Sequence, residues 1–357
     1  MLQLPINHLT PLANAAAQIW PAFVLVTGLL LVGVVAEQDG LFHAAGSLLA
    51  RLPVGSRTIF AIALVVVALV TAVLNLDTSV FFLTPVLLHL ARARALDEAP
   101  FLYGAVFMSN AASLVLPGSN LTNLIVLHGE HTSGAVFFGR MWPAAFASVL
   151  TTIAVLLVAF RRSFGEPAAP VAEPHEARIG AGAVAVLVSA AFVLALSSPA
   201  LPVLLVGIAA IVATQTARTR ALAAVDVRIL GLLFILATAL GGLGRWWGGA
   251  DAFFDSLARW QVSGLAAAAA VGFNNLPAAV LLTPDPPLHA RALLLGLNIG
   301  PNLAVTGSLS ALLWLRVARS LGAHPSAKTY SRIGVVLAPL TLAAALAALW
   351  LVAPGRL

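Results

Sequence analysis

Apolar runs near the length of about 20 residues that carries a helix across a ~30 Å hydrocarbon core recur along the whole chain, separated by short polar stretches. Two adjacent runs, 58–73 and 80–91, flank the polar stretch Asn75-Leu76-Asp77-Thr78-Ser79. Arg51 and Arg57 precede the first run and Arg92 and Arg94 follow the second, so both arms start and end on one basic side. The bias of basic residues to the cytoplasm makes 58–93 a re-entrant hairpin with its polar tip inside the membrane. The run 100–128 ends in His-Gly-Glu-His-Thr-Ser-Gly, without Lys or Arg, on the other face, and 135–160 returns to Arg161 and Arg162. Residues 161–178, rich in Pro, Glu and Arg, read as a cytoplasmic linker. Helices at 179–197 and 201–216 go out and back to Arg218 and Arg220, and one at 227–244 goes out again, with Arg245 an exception to the charge rule. A second hairpin is expected at 261–288. The stretch 290–315 then leads inward to Arg316, Arg319, Lys328 and Arg332, and 331–353 outward.

Composition agrees with this reading. Of 357 residues 61% are hydrophobic and 9% charged, against roughly 25% charged in soluble domains. The chain is an integral, multi-pass protein of the cell membrane, with the lipid bilayer as its first partner. The net charge of +6 comes from 19 Lys and Arg spread over short loops, which are topology signals and offer no basic face to nucleic acid. With no cysteine there are no disulfides, zinc-thiolate sites or thiol nucleophiles. The N-terminus has no basic start before a short apolar core, so no cleaved signal peptide is expected.

The second half repeats the first. Asn75-Leu-Asp-Thr-Ser-Val-Phe-Phe-Leu-Thr-Pro85 aligns with Asn274-Asn-Leu-Pro-Ala-Ala-Val-Leu-Leu-Thr-Pro284, pairing Asn75 with Asn274 and Thr84-Pro85 with Thr283-Pro284. Residues 109–127 align with 297–315, pairing Asn110 with Asn298. Charge counts place the two hairpins on opposite faces. The expected fold is therefore an all-α polytopic membrane protein of two inverted-topology repeats, 1–160 and 179–357, each with a re-entrant hairpin and an interrupted helix, 100–128 and 290–315.

Inverted repeats with Gly/Pro breaks in matching places point to a secondary transporter with its site at the midplane. The hairpin tips, 75–79 and 274–277, face unwound stretches at 113–120 and 300–308, where Pro117-Gly118 and Gly300-Pro301 interrupt the helix. The candidate substrate or ion ligands are Asn75, Asp77, Thr78, Ser79, Gly118, Ser119, Asn120, Asn274, Asn275, Gly300, Asn302, Thr306, Gly307 and Ser308, with Na⁺ at the tips as the candidate ion; no other metal site and no cofactor is expected. A carboxylate at the bilayer centre costs about 2.5–3.5 kcal/mol on insertion scales, so Asp77 reads as a functional residue that binds a proton or Na⁺. In a poorly solvated site it can load and release a proton near neutral pH. Its bland reading is a helix cap. The asparagines are either ligands or partners for broken backbone, and the Thr-Pro pairs are structural kinks. The eight histidines show no metal spacing, and Trp20, Trp142, Trp246, Trp247 and Trp350 fall at helix ends as an interfacial belt. An intramembrane aspartyl hydrolase would need a second carboxylate beside the first, and a serine protease a paired His, and neither is present in the pattern. A channel is the remaining alternative class.

Asn-Asn-Leu-Pro at 274–277, followed by Gly-Pro at 300–301 and Gly-Ser-Leu-Ser-Ala-Leu-Leu-Trp at 307–314, resembles the second-half signature of the arsenite and antimonite efflux permeases. That family lies within the ion transporter superfamily, with di- and tricarboxylate carriers such as citrate permeases and sodium/proton antiporters. Leu-Asp-Thr-Ser-Val at 76–80 fits the first-half motif, whose acidic residue falls on Asp77. The resemblance implies two hairpins, interrupted helices facing them, interfacial helices near 41–52 and 249–260, an elevator-like motion and a homodimer. It implies export of arsenite, antimonite or a similar small oxyanion, with carboxylate transport or Na⁺/H⁺ exchange as the alternative. The chain departs from the permease pattern at Asn298-Ile-Gly-Pro-Asn302, where the family has Asp-Leu-Gly-Pro-Lys, and its first half lacks counterparts of the helices at 179–197 and 201–216.

Overall fold

The computed structural model describes residues 9–128, 130, 132–165, 180–215, 225, 227–247, 253, 256–284 and 287–352, and among them there are helices and no strands. Five helices are long and apolar enough to cross a membrane. The first half contains α1 (Leu9–Gln38), the amphipathic α2 (Leu41–Arg51), α3 (Ser56–Leu74), α4 (Leu76–Ala93), α5 (Glu98–Ala112), the short α6 (Leu121–Val126) and α7 (Gly134–Ala159). Then follow α8 (Ala181–Ala195), α9 (Ala200–Ala213), α10 (Val227–Trp247), α11 (Arg259–Phe273), α12 (Asn275–Leu282), α13 (Ala290–Ile299), α14 (Leu309–Ser320) and α15 (Ala327–Val352).

The hairpin expected at 58–93 is α3 and α4. Asn75 alone turns the chain between them, at φ 75°. With ψ at 170° this positive-φ conformation lies outside the regions that L-residues favour, and the structure around the tip holds it there. Here the amide oxygen caps α4 by accepting from the Thr78 N–H at 2.9 Å. At the open end, the buried Arg94 guanidinium donates to the carbonyls of Ala50 (2.5 Å) and Leu52 (3.3 Å), which holds the end of α4 beside the start of α3. Both arms thus return to one side, and the tip lies far from it.

The second hairpin is α11 and α12, turned by Asn274 at φ 71°. Its return arm is shorter than the expected 261–288 and ends at Leu282. Thr283 leaves helical geometry at φ −132°, ψ 56°, and the prolines at 284, 286 and 287 cannot supply the N–H groups that another turn requires. Thr283-Pro284 therefore ends a helix and does not kink one, whereas Pro85 sits inside α4, which continues to Ala93. Both threonines bond one turn back, Thr84 Oγ1 to the Val80 carbonyl (2.6 Å) and Thr283 Oγ1 to that of Ala279 (2.7 Å).

Two other expectations change in length. The helices read at 179–197 and 201–216 contract to 15 and 14 residues, below a full crossing, because Ser197, Ser198 and Pro199 break the apolar run between them. They pack on α1, α9 so closely that a Cβ at Gly207 would stand 2.7 Å from the Gly28 carbonyl oxygen. Small residues at such crossings give backbone-to-backbone contact where lipid supplies no hydrophobic drive. Of the interfacial helix expected at 249–260, residues 248–252 and 254–255 lie outside the described residues, as do 166–178 of the linker, Arg218 and Arg220; regular helix resumes at Arg259.

The interrupted helices form as expected. α5 stops at Ala112, the chain passes through a 3-10 turn at Pro117–Ser119, and α6 resumes at Leu121. In the second half α13 gives way to 3-10 turns at Gly300–Leu303 and Val305–Gly307 before α14. Each resumed helix has a side-chain cap, Asn120 accepting from Thr122 N–H (3.0 Å) and Ser308 from Ala311 N–H (3.1 Å).

Candidate functional site

Where the breaks cross, the polar side chains bond one another, with Asn110 Oδ1 left as the acceptor of the network without a partner. Asn298 Oδ1 accepts from Ser113 Oγ (2.5 Å) and Asn120 Nδ2 (2.7 Å), while its Nδ2 donates to Asn123 Oδ1 (2.8 Å) and to the Leu294 carbonyl (2.8 Å). Asn123 Nδ2 reaches the carbonyls of Ser113 and Leu116, and Ser119 Oγ donates to the same two. Beside this knot, Asn110 Nδ2 donates to Asn302 Oδ1 (2.9 Å). All seven side chains are buried. In an apolar interior each unmet donor or acceptor costs about 1–3 kcal/mol, so this network is what lets two broken helices cross there.

The hairpin tips meet the resumed helices in a different way. A cavity of about 20 Å³ is lined by Leu76 and Asp77 of α4, Asn120 and Leu121 of α6, Asn274, Asn275 and Leu276 of α12, and Leu309 and Ser310 of α14, with Phe23, Leu230 and Leu233 closing it. A water-sized species fits such a volume. Four helices thus present their first turns to one point, where their N–H ends carry partial positive charge. Among the described residues no basic side chain lines the cavity, and Asp77 is the one ionisable group there.

Asp77 is 9% exposed, and its Oδ1 accepts from Ser310 Oγ at 2.5 Å, a charge-assisted length. This bond ties the first hairpin to the second interrupted helix. The second oxygen of Asp77 has no hydrogen-bond partner among the described residues, and neither has the Asn275 amide, although Asn275 is only 5% exposed. The cavity therefore holds one carboxylate oxygen and one amide free to bind something.

The other candidates sit around this point with their groups engaged or turned elsewhere. Asn75 and Thr78 are fully buried behind the tip, where Asn75 Nδ2, Thr78 Oγ1 and Thr71 Oγ1 lack partners. Ser79 Oγ accepts from Ser109 Oγ (3.3 Å) and donates to the Val67 carbonyl (3.4 Å). Asn274 Nδ2 donates to the Thr306 carbonyl (3.3 Å), and Thr306 Oγ1 to that of Val271 (3.2 Å), so the second tip is laced to the second break. Gly300 and Gly307 serve close approach, whereas a Cβ at Gly118 would meet only the side chains of Val193 (3.3 Å) and Leu25 (3.4 Å). Gly300 lies against α11, where a Cβ would fall 2.5 Å from Ala267 Cα, and one at Gly307 would fall 2.6 Å from Pro301 Cα. Of fourteen candidates the structure brings Asp77, Asn120, Asn274 and Asn275 to the cavity; Asn120 and Asn302 are bonded into the crossing, and Ser308 caps α14.

Three contributors stand outside the sequence-derived set. Ser310 lies within the Gly-Ser-Leu-Ser stretch after the break, but nothing in the sequence says which hydroxyl faces the other half. Asn298 was visible as the partner of Asn110 in the repeat. Gln18, in a long apolar helix, donates to the carbonyls of Ile125 (3.1 Å) and Thr283 (2.9 Å) and accepts from Arg245 Nη2 (2.7 Å). That bridge accounts for the position of Arg245, the exception to the charge rule. Among the described residues no cluster of His, Asp and Glu could hold a metal ion by itself.

Two helical hairpins, two interrupted helices and a buried polar cavity at their meeting point define a membrane transporter. The profile of the citrate transporter family, CitMHS, matches residues 1–315, and the chain belongs to that family. It is similar to the arsenical pump membrane protein of Escherichia coli, at 24% identity over 93% of this chain and 86% of that protein. An uncharacterized transporter of Mycobacterium tuberculosis is 27% identical over the same shares of the two chains. Among solved structures, the Alcanivorax borkumensis YdaH transporter, described as having an unusual topology, aligns with a TM-score of 0.57 at 16% identity, covering 96% of this chain and 87% of that one. That likeness is one of fold.

Proposed function

We propose that this protein is an ion-coupled secondary transporter that exports arsenite, antimonite or a similarly small oxygen-rich solute, with Asp77 as the coupling site. The observation that carries the proposal is the cavity at the four helix N-termini, with one free carboxylate oxygen and the free Asn275 amide. Oxygen atoms of a solute match the N–H ends, and a proton or Na⁺ matches Asp77. The lack of a basic side chain among the described lining residues suits a hydrogen-bonding solute better than a tricarboxylate, and the cavity must widen to admit either. Relatives named arsenical pump membrane proteins favour the same reading. The division into two repeats of opposite orientation, joined by the linker, belongs to this proposal, since alternating access to one central site follows naturally from it.

The second reading is carboxylate transport, favoured by the citrate transporter family profile and by helix N-termini that can hold carboxylates without fixed cations. Uptake of arsenite and of citrate into everted vesicles, with and without an imposed proton or sodium gradient, separates the two. Gradient-driven arsenite accumulation that Asp77→Asn abolishes is the expected result. Citrate accumulation in its place establishes the second reading, and dissipation of both gradients without saturation establishes a channel.

A further inference from the structure

The two hairpin tips differ in what covers them. At the first, Leu74, Asn75, Leu76, Asp77 and Thr78 are all buried. The break beside it is enclosed too: Pro117, Gly118, Ser119 and Asn120 are buried, and Val193 of α8 stands 3.3 Å from where a Cβ on Gly118 would lie. At the second tip Gly272 and Phe273 are exposed and Asn274 is half-buried, and a Cβ on Gly272 would meet nothing within 4 Å. The alignment of 109–127 with 297–315 sets Thr306 opposite Gly118. Thr306 is exposed, and Leu303 and Ala304 beside it are half-buried. The helix pair α8–α9 has no counterpart in the first half that would cover this second break.

Unwound backbone and polar side chains at membrane depth are stable only inside protein or against water. Protein does not enclose the second break, so water is the partner that its exposed groups require. Of the polar residues lining the central cavity, Asn274 alone is not buried, and it therefore joins the cavity to that exposed surface. We propose that water, and with it the solute and the coupling ion, reaches the central cavity past the second hairpin tip, with the bond from Asn274 to the Thr306 carbonyl as the latch of that path. The inference rests on the central cavity being the transport site. The latch bond (3.3 Å) and the bond from Thr306 Oγ1 to the Val271 carbonyl (3.2 Å) are long and neutral, and water replaces such bonds at little cost. Asn274 Oδ1 meanwhile accepts from the Leu276 N–H within the same tip, which keeps the tip's shape when the latch opens. Opening here widens a cavity that in this structure fits only a water-sized species. The first tip forms the fixed wall, held to α14 by Asp77 and Ser310.

The chain has no cysteine, so each substitution to Cys gives a single thiol in an otherwise native protein. In lipid nanodiscs, a nitroxide attached to Thr306→Cys should collide more with a water-soluble nickel chelate than with oxygen, and one attached to Leu69→Cys, an exposed position along an arm of the first hairpin, the reverse. The thiol of Ser310→Cys lies in the cavity. Its rate of modification by a charged methanethiosulfonate should rise about fivefold when Asn274→Gly removes the latch, the scale of one neutral hydrogen bond. Glycine accepts the φ of 71° and ψ of 146° found there, and Thr306→Val, which deletes the neighbouring bond and keeps the shape, should raise the same rate about threefold. Ser79→Cys, buried at the first tip, should stay unmodified throughout. Oxygen-dominated collisions at Thr306, a Ser310→Cys rate that neither variant changes, or modification of Ser79→Cys as fast as that of Ser310→Cys would overturn the proposal. So would efficient self-cross-linking of Thr306→Cys, which marks a face covered by a second copy. These readouts do not measure transport, so they stand or fall apart from the coupling role of Asp77.

Discussion

The helix crossing and the tip cavity are built from the same residue types and put them to opposite use. At the crossing Asn298 makes four hydrogen bonds, and Ser113, Asn120 and Asn123 close the network around it. At the tips, Asp77 has one oxygen engaged and one free, and Asn275 has no partner. An asparagine buried in a membrane protein is thus not by itself a ligand. What separates a strut from a ligand is whether the protein already fills its hydrogen-bonding capacity.

The sharpest way to break this contrast is at Asp77. Asp77→Asn keeps an acceptor for Ser310 Oγ and the same shape, so the protein should melt within about 1 kcal/mol of wild type while gradient-driven uptake falls at least about 100-fold. A variant that transports normally would make Asp77 a cap. Next comes Asn298→Leu, similar in size but unable to bond, which leaves Ser113, Asn120 and Asn123 unsatisfied in an apolar interior. A loss of about 3 kcal/mol in denaturant unfolding is expected, with a matching fall in membrane yield. If Asn298→Leu folds normally but fails to transport, the crossing is a binding site and the contrast is wrong.

Smaller effects sharpen the tip itself. Asn275→Ala removes an amide with no partner, so stability should hold while the half-saturating substrate concentration rises about tenfold. Ser310→Ala removes the donor to Asp77 and should slow transport about threefold, with Ser310→Thr restoring most of it. Steady-state uptake across substrate concentrations reads both, and an unchanged Asn275→Ala would move the ligand role to the Asn274 side of the tip.

Much of the fold was legible in one dimension. Both hairpin tips, both interrupted helices and the apolar segments follow from hydropathy, loop charge and paired Gly/Pro breaks, because a bilayer forces each backbone polar group into helix or into protein. The length of the second return arm was not. Thr-Pro occurs in both copies, yet Pro85 lies within a buried helix that its neighbours hold intact, while Thr283 precedes three prolines in four residues. Local sequence leaves both outcomes open and the surrounding packing selects one. The two short helices on α1 were overestimated because hydropathy runs through helix ends that Ser197, Ser198 and Pro199 set between them.

The candidate site divides along the same line. Sequence by itself pointed to a carboxylate and several asparagines at two hairpin tips and two breaks in apolar helices, because an isolated charge in so apolar a segment is too costly to arise without a partner or a task. Only the tertiary structure decided that Ser310 reaches Asp77, that Asn298 secures the crossing, and that Asn275 alone among the buried tip amides faces the cavity without a partner. Those assignments depend on hydrogen bonds between residues far apart in the chain, such as the 233 positions from Asp77 to Ser310. Hydropathy and local spacing carry no record of which distant partner a side chain meets.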